Sequence, residues 1–230
     1  MIAQLSMGGA ERQMTLLSRG LMRGTSVTPV VFCLSGSVSP YGQILTDTGV
    51  RWFYPNPSPR PGLPRLIWLV RLLSRFRCDL LYGILNVGNI YACAASILTG
   101  VPFVASIRSA DSHLPTPVRQ LSASACNRAR MVIANSASCL SSLRAHLGVR
   151  HGRVAVIENG VERPRSLELE RSIARERLGL PADATVFCTV ANLKTQKRPL
   201  FFIDVFRHYH EHSTCKAYFI WQGKIGRAHV

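Results

Sequence analysis

From the start of the chain to about residue 160, short apolar runs alternate with longer stretches of helical periodicity. Strands are expected at 27–34, 50–54, 79–82, 102–107, 131–134 and 154–157. All are short and apolar or β-branched, as strands buried on both faces should be. Helices are expected at 11–21, 64–77, 89–98, 117–128 and 138–147. In the first of these Met14, Leu17 and Leu21 share one face, and Gly24 supplies a stop signal. Asn135 and Ser136 stand where they can cap the last. The Pro and Gly cluster at 55–64 reads as a surface loop, because proline lacks the donor that a central strand needs. Such βα alternation predicts an α/β fold with a doubly wound parallel sheet.

The pattern changes after Gly160. A polar segment at 162–176 leads to a strand at 186–193, a helix from Pro199 to about 211, and a strand at 217–221. The expected organisation is a first domain at 1–162, a linker at 163–184, an incomplete second domain at 185–224 and a separate tail at 225–230. The second part is too short to close a sheet of typical size.

Composition agrees with a folded chain: 47% of the 230 residues are hydrophobic and only 17% charged, with no low-complexity tract. The charge is one-sided. Against 12 Asp and Glu stand 28 Lys and Arg, a formal net charge of +16, so a negatively charged partner or surface is expected. The arginines are dispersed, and there is no zinc-finger spacing, recognition-helix pattern or aromatic RNA-binding signature, which argues against nucleic acid. Seven cysteines, Cys33, Cys78, Cys93, Cys126, Cys139, Cys188 and Cys215, sit in apolar stretches without close pairs of metal-ligand type. They read as free thiols in a reducing cytosol, and no metal site is expected. No signal peptide precedes Gly8 and no apolar run reaches the length of a membrane span, so the expected location is cytoplasmic, with any membrane contact peripheral.

Candidate chemistry begins at Gly8-Gly9-Ala10-Glu11-Arg12, a glycine pair directly before a helix. Glycines allow close backbone approach, and the free N–H groups of a helix start favour phosphate. Further along come Asn135-Ser136, then Val156-Ile157-Glu158-Asn159-Gly160-Val161, then Thr189-Val190-Ala191-Asn192-Leu193 with Lys197. In this order the four motifs resemble landmarks of the family 4 glycosyltransferases, and the resemblance runs from about residue 5 to 223.

The resemblance implies a GT-B fold: a Rossmann-like N-terminal domain on the acceptor side and the beginning of a second Rossmann-like domain that holds most of a nucleotide-sugar donor, UDP- or GDP-linked, with no further cofactor. It places Gly8 and Gly9 near the donor phosphates and pairs Lys197 with the diphosphate, whose negative charge grows as the glycosidic bond breaks. Asn192 stands where many members carry an arginine, so Lys194 or Arg198 is expected to assist. The histidine that some members carry after the fourth strand is absent, since Gly83, Ile84, Leu85 and Asn86 occupy that region, and no catalytic base is assigned. Arg108, Asp111 and His113 follow a strand's carboxyl end, where open α/β sheets bind ligands, and together with Asn86 are the candidates for acceptor contacts.

The basic, Trp-bearing segment 64–77 can pack on the sheet or lie in a membrane interface, which would bring the enzyme to a lipid-linked acceptor. The implied activity is transfer of a sugar to a glycan or lipid-linked glycan, with retention, in bacterial cell-surface polysaccharide synthesis. Two alternatives remain open: a sugar-nucleotide 2-epimerase on the same fold, and a non-enzymatic basic module binding anionic lipid or nucleic acid. Neither the glycine-rich turn nor the Glu-bearing helix that closes the family's donor site follows Gly223, so the chain as given is expected to be a fragment and inactive. Residues 225–230, Ile-Gly-Arg-Ala-His-Val, are what a common sequencing-adapter string encodes in this frame, and are expected to be a translated adapter. Family members usually have a full first strand before the Gly pair, and only residues 1–5 are available for one here, which predicts marginal stability.

Overall fold

The computed structural model describes residues 1–57, 60–108, 115–150, 152–162, 168–193 and 195–223. The candidates Asp111, His113 and Lys194 and the tail at 225–230 lie outside the described residues. The chain divides into two compact units, Met1–Val161 and Glu162–Val230.

In the first unit the elements run α1 (Gly9–Gly24), β1 (Val30–Phe32), α2 (Tyr41–Asp47), β2 (Arg51–Phe53), α3 (Leu63–Phe76), β3 (Leu81–Ile84), α4 (Leu85–Thr99), β4 (Phe103–Ile107), α5 (Thr116–Arg128), β5 (Met131–Ala134), α6 (Ala137–Leu147) and β6 (Val154–Val156). All strand pairs are parallel: β1 with β2, and β3 to β6 in sequence order. The first residues of the chain join the two sets. Ile2 N–H donates to the Phe32 carbonyl at 3.0 Å and the Ile2 carbonyl accepts from Leu34 N–H at 2.9 Å, while the Met1 carbonyl accepts from Ile84 N–H at 3.0 Å. Met1 and Ile2 thus lie between β1 and β3.

Period-two alternation sends neighbouring side chains to opposite faces. Val31 and Cys33 join Ile2, Met14 of α1 and Leu45 of α2 in one cluster. Phe32 and Leu34 join Leu69 and Leu73 of α3, Ala92 of α4, Cys126 of α5 and Leu143 of α6 in the other. Helices therefore cover both faces, as in a doubly wound sheet. Small residues let α4 come close: a Cβ on Gly83 of β3 would stand 2.6 Å from Asn89 Oδ1 and 2.9 Å from Asn89 Cα.

At the amino ends of β1 and β3 the sheet leaves a cavity of about 570 Å³, lined by residues that include Leu17, Leu21, Val30, Phe32, Phe76 and Leu81. The Met1 amine is buried beside it and donates to the Tyr82 carbonyl. Burial pulls its pKa from 8.0 down to about 5, against the smaller opposing influence of Cys33 and Cys78.

The expected strand at 27–34 is shorter than predicted. Its first residues line the cavity instead of pairing, and Pro29 lacks a donor. The seven-residue α2 was not expected, since Tyr41-Gly42-Gln43-Ile44-Leu45-Thr46-Asp47 shows too little periodicity over two turns.

The second unit has α7 (Glu168–Arg177), β7 (Thr185–Val190), a single 3-10 turn (Thr195–Lys197), α8 (Pro199–His212) and β8 (Ala217–Gln222). The helix α7 falls within the segment expected as a linker. Arg175 ties it to the approach to β7 by donating to the carbonyls of Pro181 at 2.6 Å and Ala184 at 2.9 Å. β7 and β8 pair in parallel. Phe202 and Phe206 of α8 meet Phe219 edge-on, with centroids 5.7 and 4.6 Å away.

Candidate functional site

Parallel strands deliver the residues that follow them to one edge of the sheet. In the first unit this carboxyl edge gathers Arg108 after β4, Asn135 after β5 and the Asn159-Gly160 pair after β6. Arg108 Nη1 donates to Asn159 Oδ1 at 2.6 Å, and its Nη2 lies 3.5 Å from the Tyr82 hydroxyl. Asn135 Nδ2 donates to the Arg108 carbonyl at 3.2 Å. Gln13 of α1 grips the same edge from the side: its Nε2 donates to the Gly160 carbonyl at 2.7 Å, and Gly160 N–H donates to its Oε1 at 2.9 Å. The Arg108 Nε is buried with no hydrogen-bond partner among the described residues, so this guanidinium is held at the edge with donor capacity to spare.

The turn from β3 into α4 has no loop. Leu85 takes a left-handed φ of 62° directly after Ile84, a conformation that costs a non-glycine residue about 1–3 kcal/mol. Asn86, the next residue, is buried and accepts from Ser122 Oγ at 2.7 Å. Its side chain therefore links α4 to α5.

Gly8 and Gly9 begin α1 as expected, but with a neighbour that the sequence did not disclose. The Glu11 side chain is 5% exposed, and a Cβ on Gly8 would collide with its carboxylate. A carboxylate in the first turn already opposes the positive end of the helix dipole. The bareness of Gly8 is thus accounted for by Glu11, whereas nothing stands within 4 Å of where a Gly9 side chain would begin.

In the second unit the donor-side candidates share the connection between β7 and α8. Asn192 follows β7, Lys197 ends the 3-10 turn, and Arg198, with φ 48°, occupies the N-cap of α8 before Pro199; all three are exposed. Two cations beside the free N–H groups of a helix start form a setting suited to phosphate.

Sequence reading found Arg108 from its place at a strand end, but not the residues that orient it. Tyr82 and Gln13 carried no motif; Gln13 is separated from Gly160 by 147 positions. Among the described residues no helix is long and apolar enough to cross a membrane.

Comparison with known proteins agrees with this architecture. HepE from Anabaena, solved in complex with UDP-glucose, superposes with a TM-score of 0.80 at 19% identity, over 99% of this chain and 61% of that one. A glycosyltransferase from Rickettsia africae gives 0.71 at 14% identity, over 99% of this chain and 60% of its own. The lipopolysaccharide outer core galactosyltransferase WaaB, in its apo form, gives 0.60 at 15% identity, over 95% of this chain and 59% of its own. The chain thus spans about 60% of the length of these structures, and at such identities the likeness establishes the fold: α/β with parallel sheets, corresponding to the Rossmann-like N-terminal half of GT-B enzymes. No curated protein matches in sequence. The profile of Glycosyltransferase Family 4 matches residues 7–165, the whole span from the Gly pair through the carboxyl edge, and the chain belongs to that family.

Proposed function

We propose that the protein is a glycosyltransferase that moves a sugar from a UDP- or GDP-linked donor to a glycan or lipid-linked glycan, with retention, at the cytoplasmic side of a bacterial membrane during cell-surface polysaccharide synthesis. The observation that carries this reading is the family match over residues 7–165 together with the Arg108 constellation at the carboxyl edge of the same segment. HepE was solved with UDP-glucose and WaaB is a lipopolysaccharide galactosyltransferase, and both share the fold. Arg108, spanned by Asn159 and Tyr82, is assigned to the acceptor side, with Asp111, His113 and Asn86 as further candidates from the sequence. Asn192, Lys197 and Arg198 are assigned to the donor phosphates with Gly8 and Gly9, and a cation there would stabilise the departing diphosphate.

A lipid-linked acceptor is favoured by α3. Its inner face buries Leu69 and Leu73, while Leu63, Ile67, Arg71 and Arg75 are exposed on a chain of net charge +16. Exposed leucine and isoleucine beside arginines suit the surface of an anionic bilayer.

The test is nucleotide release by the full-length gene product, screened over UDP- and GDP-sugars with and without lipid-linked acceptor. Lys197→Ala should lower release from the productive donor, and Arg108→Ala should lower acceptor-dependent release by at least about tenfold while leaving slow donor hydrolysis. A full-length protein that neither binds nor cleaves any nucleotide sugar refutes the proposal.

A further inference from the structure

The last turn of α8 carries three side chains that converge on one point. His208, Glu211 and His212 are all exposed, and one potential ligand atom from each lies within 4.8 Å of the others. Positions i, i+3 and i+4 share a helix face, and the two imidazole rings stack with centroids 4.1 Å apart. The arrangement is also oriented. His212 Nδ1 lies 2.8 Å from the His208 carbonyl, and since a carbonyl can only accept, Nδ1 carries the proton. In the neutral ring the lone pair is then on Nε2, directed away from the backbone, the device by which ligating histidines are commonly held.

Electrostatics favours a cation at this point in spite of the positive chain. The carboxyl end of a helix carries partial negative charge from its unpaired carbonyls. Arg207, the nearest fixed cation on the same helix, lies 3.9 Å from Asp204, so it is engaged one turn back. Among the described residues no ion pair of Glu211 is found.

From this geometry we propose that His208, Glu211 and His212 form a surface site for a divalent transition metal of the zinc, nickel or copper class. Two imidazoles and a carboxylate suit such ions and not magnesium or calcium, which prefer all-oxygen sites. Bonds of about 2.0–2.2 Å place tetrahedral ligands roughly 3.4 Å apart, so exposed side chains already within 4.8 Å need only rotamer adjustment. Three protein ligands leave the remaining positions to water. Bound metal would cross-link one turn of α8 just before the Ser213 C-cap and the entry to β8. The proposal does not rest on the transferase reading.

The probe is Ni²⁺, titrated calorimetrically into metal-free protein with Cys188 and Cys215, the two exposed thiols, replaced by serine. One saturable site per chain is expected, with a rise in thermal midpoint on adding metal. His208→Asn and His212→Asn should each weaken binding by at least about tenfold, Glu211→Gln should weaken it less, and His210→Asn, outside the cluster, should leave it unchanged. The substituted side chains are all exposed, so circular dichroism should show the fold retained. Absence of a saturable site, or equal affinity in the His208→Asn/His212→Asn double variant, overturns the assignment.

Discussion

Replacing Asn89 should cost the first unit more than any exposed change near the site, and the reason lies in how β3 ends. α4 starts directly after Ile84, whose register partner in β4 is Ser106, the last paired position of these two strands. Asn89, fully buried, ties α4 to that position: Nδ2 donates to the Ser106 carbonyl at 3.1 Å and Oδ1 accepts from Ser106 N–H at 3.1 Å. Asn89→Ala removes both hydrogen bonds, and at about 0.5–1.5 kcal/mol for each the loss is about 1–3 kcal/mol. Asn89→Asp keeps an acceptor, loses the donor and buries a charge, so it should be at least as harmful. Urea unfolding followed by circular dichroism measures the loss, and native-state hydrogen exchange at the Ser106 amide localises it. Ser106 lies two residues before Arg108, so the same change should loosen the Arg108–Asn159 contact. A loss below about 1 kcal/mol with unchanged protection of Ser106 would refute the claim that this side chain anchors α4 to β4.

Ser106 itself offers a contrast: its Oγ is buried with no partner, so Ser106→Ala should be neutral or stabilising by about 1 kcal/mol in the same assay, and a clear destabilisation would disprove the reading. Burial pushes the Cys126 thiol up to about 12, with nearby Cys93 adding to it, and raises Cys33 and Cys93 as well. An aromatic disulfide reagent at pH 8 should therefore label Cys188 and Cys215 at once and Cys126 only in denaturant; native labelling of Cys126 would contradict its burial. For the 230-residue chain with a free Met1 amine, the native pKa of about 5 lies below the ordinary value of 8.0. The unfolded chain then holds more protons between these values, so stability should rise from pH 5 to pH 8 by about 4 kcal/mol from this group alone. Acetylating the amine should flatten that contribution, and an equally steep profile after acetylation would rule it out.

What could be read from the sequence was whatever local physics decides. Met131–Ala134 was expected at its observed bounds, because four apolar residues between turn signals leave little choice. Ser136 was expected as a cap and accepts from Cys139 N–H at 3.1 Å. The second strand-helix-strand run was legible for the same reason. By contrast, α2 is too short for periodicity to declare it, and in α7 the charge of the segment outweighed the short apolar stripe of Leu169 and Ile173, so it read as a linker. The site divided along the same line. Arg108 and the β7–α8 cations could be located from strand ends and the family resemblance, whereas the Gln13–Gly160 clasp and the Glu11 carboxylate at Gly8 depend on which segments the sheet brings together. No spacing rule connects positions so far apart.

The two ends of the parallel sheet also differ in what they offer a ligand. A well-formed apolar pocket is the default guess for a ligand site, and here that guess points to the cavity of about 570 Å³ at the amino ends of β1 and β3. Its walls are strand edges and the inner sides of α1 and α3, and they mix Val30, Phe32, Phe76 and Leu81 with Ser18, Thr28, Arg51, Arg77 and Asp79. It opens where strands begin, the end that in an open α/β sheet lacks helix amino termini. The carboxyl edge carries an arginine fixed by Asn159 and Tyr82, a loop clasped by Gln13, and the left-handed Leu85 at the sharp turn. Backbone strain and spare donor capacity at the same edge are costs that packing alone would not retain. They favour the carboxyl edge at Arg108 as the acceptor side proposed above, with the cavity at the opposite end of the strands.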